Sequence, residues 1–95
     1  MPIYIRLVKF GEQGMRNVRA VGDQMAEARK IVEANGGKLL HSWSTLGRYD
    51  LIAVVEAPDN KTMMKISALV AEKVSIRAET LAAVPSPEFA ESVKS

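Results

Sequence analysis

His41 and Trp43 lie two residues apart in a strand-like run, so both side chains point to one face. An imidazole beside an indole there suits a planar ligand held by stacking and by a proton-accepting nitrogen. His41 is the only histidine, and any general-base role near neutral pH falls to it first, with Asp50 or Glu79 as substitutes. Asp50 follows Gly47, Arg48 and Tyr49. One reading makes it a polar anchor or base at the mouth of a cavity between subunits. The competing reading is structural: Gly47 supplies a positive φ, Tyr49 closes a hairpin, and Asp50 accepts a hydrogen bond from Thr45 or a nearby amide. Arg6, Arg77 and Glu79 fall on neighbouring strands and form either an anion site or an ion-pair network at an interface, with Tyr4 as an aromatic wall. Arg16 and Arg19 precede a helix, but no glycine-rich phosphate loop accompanies them, and an exposed loop is the simpler reading. The five methionines read as core filler or surface rather than metal ligands.

These groups sit in a chain of 95 residues, enough for one domain with a modest core: area scaling lets about 64% of the extended surface be buried. Composition is that of an ordinary globule, 47% hydrophobic and 25% charged, which argues against disorder and low-complexity classes. No apolar run reaches the roughly 20 residues of a membrane-spanning helix, and no secretory leader is visible after Met1, so a cytoplasmic protein without membrane association is expected. With no cysteine and a single histidine, no metal site and no cofactor are expected. Net charge is +2, and acidic residues interleave with the basic ones, so no nucleic-acid partner is expected.

The elements that must position these groups follow from periodicity. Ile3 to Phe10 alternates as a strand and ends at Gly11. After a loop containing Gly14, Val21, Met25, Ala28 and Val32 recur at helical spacing, and Gly36-Gly37 stops that helix near Asn35. Lys38 to Leu46 and Tyr49 to Ala57 are strands joined through Gly47-Arg48 as a two-residue type II′ turn. Asp59 caps a second helix in which Met63, Ile66 and Val70 share a face. Val74 to Val84 is the last strand, and Pro85-Ser86-Pro87 breaks regular structure. The order βαββαβ is the α+β, ferredoxin-like plan: four antiparallel strands, strands one and three central, both helices on one face.

With Gly47-Arg48 as the turn, Thr45 pairs with Asp50, Trp43 with Ile52, His41 with Val54 and Leu39 with Glu56. The alternate residues Leu40 with Val55, Ser42 with Ala53 and Ser44 with Leu51 then lie beneath the helices. Tyr4, Arg6, Val8, Arg77, Glu79 and Leu81 are expected to join His41 and Trp43 on the helix-free face. Such a face already matches the largest apolar patch of an ordinary monomer, and a second copy packed sheet to sheet is the expected cover.

The run Ser44 to Pro58, with Gly47, Tyr49 and Asp50 at its turn, resembles the GYD-domain family of small bacterial and archaeal proteins. Tyr4 to Phe10, the Gln13 to Val18 loop, Gly36-Gly37 and Arg77 to Leu81 extend the similarity over positions 3 to 84, although Arg48 separates Gly47 from Tyr49 here. The resemblance implies a dimeric α/β barrel built on the ferredoxin-like fold and carries no established reaction. The expectation is a single domain over residues 1–85 with a tail over 86–95. It self-associates through its sheet and binds a small organic ligand at the inter-subunit face, bounded by Tyr4, Arg6, His41, Trp43, Asp50 and Glu79. A cofactor-independent monooxygenase or isomerase using the same cavity is the alternative.

Overall fold

A computed structural model describes residues 1–94. Its strands are β1 (Ile3–Phe10), β2 (Lys38–Ser44), β3 (Leu51–Glu56) and β4 (Ile76–Ala83). Its α-helices are α1 (Glu12–Arg16), α2 (Val21–Ala34), α3 (Asn60–Lys73) and α4 (Ser86–Ser92), with one 3-10 turn at Val18–Ala20. The sheet order is β2-β3-β1-β4, antiparallel throughout, which is the ferredoxin-like arrangement with strands one and three in the centre.

The helix boundaries follow local chemistry. Asp59 accepts a hydrogen bond from the Thr62 amide at 2.8 Å, satisfying one of the orphan donors at the start of α3. The end of α2 is a Schellman turn: Gly36, at φ +79°, donates to Glu33, and Gly37 donates to Val32 across the last turn. Two helices lie where loop or irregular chain is expected from sequence. The five-residue α1 occupies the Gly14 loop, and α4 begins at Pro85-Ser86-Pro87, because proline has no hydrogen bond to lose in a first helical turn.

The core lies between the sheet and the helices α2 and α3. Tyr4, Val32, Val55, Ala57, Met63, Ile66, Val70 and Val74 form its main cluster, and Val8, Leu51 and Ala53 form a second. The β2–β3 register agrees with expectation at Trp43↔Ile52, His41↔Val54 and Ser44↔Leu51, and differs beyond His41. A bulge at Leu40 brings Leu39 opposite Val55 and Lys38 opposite Glu56, so Leu39 rather than Leu40 packs against the core. The connection between the strands is also wider than a two-residue turn. It runs over residues 45–50, closed by Thr45 N–H to Asp50 O at 3.0 Å and by the Thr45 hydroxyl to Tyr49 O at 2.7 Å. Gly47 has the expected positive φ, +102°.

Candidate functional site

The sheet sorts the candidate residues onto two faces, and the division differs from the one drawn from sequence. Tyr4 pairs with Val55, Arg6 with Ala53 and Val8 with Leu51, so all three lie beneath the helices. The open face of β1 is therefore Ile3, Ile5 and Leu7. The reason is that β1 is apolar on both sides and has no phase of its own: its neighbours set it, and Arg6, the residue that suggested an outward face, is tolerated inside because hydroxyls meet it.

Tyr4 is buried, and its hydroxyl donates to Asn60 Oδ1 at 2.6 Å, tying β1 to the first turn of α3. Arg6 is 7% exposed. Its Nη1 donates to the Ser67 hydroxyl and, at 3.1 Å, to Thr80 Oγ1, and among the described residues no carboxylate lies within ion-pair distance. Burial alone lowers the Arg6 pKa from its ordinary value. Ser67 and Thr80 were not singled out in the sequence, although a signal was there. Ser67 is a hydroxyl interrupting the apolar stripe of Met63, Ile66 and Val70, and Thr80 belongs to the helix-facing set of β4.

On the open face, His41 and Trp43 share the expected side, and their rings stack with centroids 5.5 Å apart and planes 19° apart. Trp43 is still 53% exposed. Around them run Ile52 and Val54 of β3, Ile3, Ile5 and Leu7 of β1, and Leu81 of β4, which is 41% exposed. At the loop end the Tyr49 hydroxyl donates to Glu79 Oε1 at 3.2 Å, so these two residues meet, and Lys9 stands opposite Arg77. Arg48 is exposed in the loop. Asp50 is committed elsewhere: its main-chain N–H donates to Val8 O at 2.8 Å, and its Oδ2 accepts from the Phe10 amide at 2.9 Å. Its carboxylate thus turns toward β1, while His41 is on β2 at the other side of β3. Among the described residues no three His, Cys, Asp or Glu side chains cluster as metal ligands, and no helix is long and apolar enough to cross a membrane.

A cavity lies on the covered face. It has a volume of about 90 Å³ and is bounded by Arg6, Val8, Met25, Ala53, Ile66 and their neighbours between sheet, α2 and α3.

The GYD-domain family model matches residues 4–93, nearly the whole chain. The chain belongs to the GYD-domain family. It is 28% identical over 86 residues to the glutamine synthetase and cystathionine β-lyase binding protein of Thermus thermophilus, covering 90% of each. Among solved structures, this GYD-domain protein is similar to FFRP-DM1, with a TM-score of 0.60 and 20% identity over 88% of this chain and 100% of that one. It is also similar to a hypothetical protein from Pyrococcus horikoshii, with a TM-score of 0.58 and 20% identity over 88% of this chain and 90% of that one. At these identities the structures establish a shared ferredoxin-like fold.

Proposed function

We propose that this GYD-domain protein is a binding module that works as a homodimer, two copies meeting through the helix-free face of the sheet. The observation that carries the reading is the composition of that face: Ile3, Ile5, Leu7, Ile52, Val54 and Leu81 are contiguous across three strands, with Trp43 beside them on the fourth. The phase of β1 favours this reading, since Ile3, Ile5 and Leu7 stand on the open face in place of Tyr4, Arg6 and Val8. The surface area points the same way. The chain exposes 6627 Å², against about 5,400 Å² for a compact monomer of this size, and a standard interface hides about 800 Å² on each partner.

The His41–Trp43 stack and the Tyr49–Glu79 pair border the apolar centre and supply the polar and aromatic groups a small organic ligand needs between the copies. Arg6 and Tyr4 drop out of that site, and Asp50 supports it from behind by holding β1 and β3 together. The Thermus relative's name, that of a protein which binds two enzymes, favours binding over catalysis. The oxygenase or isomerase alternative lacks a paired base and acid, because β3 stands between His41 and the Asp50 carboxylate.

Sedimentation at micromolar concentration should give a dimer, and native mass spectrometry of protein purified from its own host should give a dimer mass plus a small organic molecule. A stable monomer would overturn the assembly; a dimer of bare polypeptide mass would overturn the ligand.

A further inference from the structure

Every described residue from Val84 to Lys94 is exposed, with Phe89 at 63% and Val93 at 64%. Phe89 and Val93 are four apart, in α4 and at its C-cap, so they form one apolar strip that is left bare. A helix of seven residues is not stable in water by itself, where about 12 to 15 are needed, so α4 calls for a surface to lie against.

The second observation is an open groove of about 260 Å³ between α2 and β2, lined by Gly22, Met25, Ala26, Arg29 and Leu39. Gly22 and Ala26 stand one helical turn apart and leave its α2 side without bulk. A Cβ on Gly22 would meet nothing within 4 Å, and its φ is not positive. Neither packing nor backbone within the chain therefore requires this glycine, which disfavours helix relative to alanine. Arg29 is the charged residue of the groove, and Glu88 adjoins Phe89 on α4. Among the described residues neither has an ion-pair partner.

The groove is remote from the arm of its own chain. Ala83, Ile3, Glu56 and Lys38 lie in register at one end of the sheet, so the end of β4 is three strand spacings, about 14 Å, from the start of β2. Helix α3 packs against β4 and α2 against β2, and both stand in the way. A sheet-to-sheet dimer removes the distance when its two-fold axis runs parallel to the strands. The end of β4 in one copy then overlies the start of β2 in the other. Two extended residues and one turn of helix carry Phe89 about 12 Å from Ala83, against about 10 Å between packed sheets, so its ring rounds the edge strand. An axis perpendicular to the strands would set β4 against β4 and leave both arms bare.

We propose that α4 is an exchanged arm: Phe89 and Val93 of each copy seat in the α2–β2 groove of the other, with Glu88 beside Arg29. This rests on the sheet-to-sheet dimer proposed above and adds the direction of its axis and a second contact outside the sheet.

The test mixes isotope-labelled unaltered chain with unlabelled chain carrying a nitroxide on Glu91→Cys, the chain having no cysteine of its own. The two are refolded together from urea, sedimented, and read by amide NMR. The Gly22, Ala26, Arg29 and Leu39 amides of the labelled copy should broaden. Phe89→Asp in the nitroxide chain should restore them while the dimer persists, as should Gly22→Leu in the labelled chain, which fills the groove where the chain itself offers no clash. A dimer whose groove amides stay sharp would overturn the arm and leave the dimer standing; a monomer would overturn both. When label and nitroxide share one chain diluted into unaltered copies, its own groove should stay sharp, and broadening there would overturn the exchange.

Discussion

Asp50 shows how a residue that attracts a catalytic reading can be explained by the backbone around it. Its Oδ2 satisfies the Phe10 amide where β1 ends, a place where the ladder to β3 has already stopped at Leu51. Asp50→Ala should therefore cost about 1–2 kcal/mol in urea unfolding, and Asp50→Asn, which keeps an acceptor oxygen, should recover most of it. Asp59 makes a second, separable contribution. The Thr62 amide and side chain hold its pKa below the ordinary 3.8, so the cap stabilises fully above that value and is lost as pH falls through the lower, folded one. Asp59→Ala should lower Tm by about 5 °C at pH 7, with the gap to the parent closing in strongly acid solution, as read by calorimetry. The aspartate cap was legible in the sequence because capping is local. The choice of Phe10 as Asp50's partner was not, because it joins residues 40 apart through a register that no local pattern specifies.

At the scale of elements, legibility follows amphipathicity. Helices α2 and α3 each carry one apolar stripe: α2, expected from Val21 to near Asn35, runs Val21–Ala34, and α3 starts directly after the expected Asp59 cap. The alternation of β3 likewise separates Leu51, Ala53 and Val55 beneath the helices from Ile52 and Val54 outside. In β1, by contrast, Ile3, Ile5 and Leu7 compete with Tyr4, Val8 and Phe10, so either phase buries apolar surface and only pairing with β3 decides. That one ambiguity moved Tyr4 and Arg6 to the wrong side of the candidate site. The Leu40 bulge was hidden for a related reason: leucines at both 39 and 40 satisfy the pattern in either register. The α2–β2 junction is more tightly specified. A Cβ on Gly37 would stand 2.5 Å from the Glu56 carbonyl oxygen, and Gly36 requires its positive φ. Gly36→Ala should cost about 1–2 kcal/mol. Gly37→Ala should cost more, because the strand backbone itself must shift, and thermal unfolding of the two variants should rank them in that order.

The whole molecule is more extended than its length requires. Its radius of gyration is 14.2 Å against about 12.4 Å for a compact chain of 95 residues, and its principal extents are 51 × 30 × 16 Å. Part of this is α4, which keeps Phe89 63% exposed, and part is the thin single layer of helices over one side of the sheet. If the bare side is the dimer contact, Ile5→Asp should give a folded monomer in sedimentation. The substitution places a charge amid the contact while leaving the helix-side core intact. The sheet's two borders differ as well. The β2 margin is bulged at Leu40, whereas β4 pairs with β1 in unbroken register over eight residues. A bulged strand is a poor template for another chain's backbone, so a head-to-tail series, which must use both borders in turn, is interrupted at every β2. A β4-to-β4 junction is regular, but it is two-fold and closes after two copies. The displaced leucine that obscured the register therefore also protects a sheet with two open borders against growth into fibres.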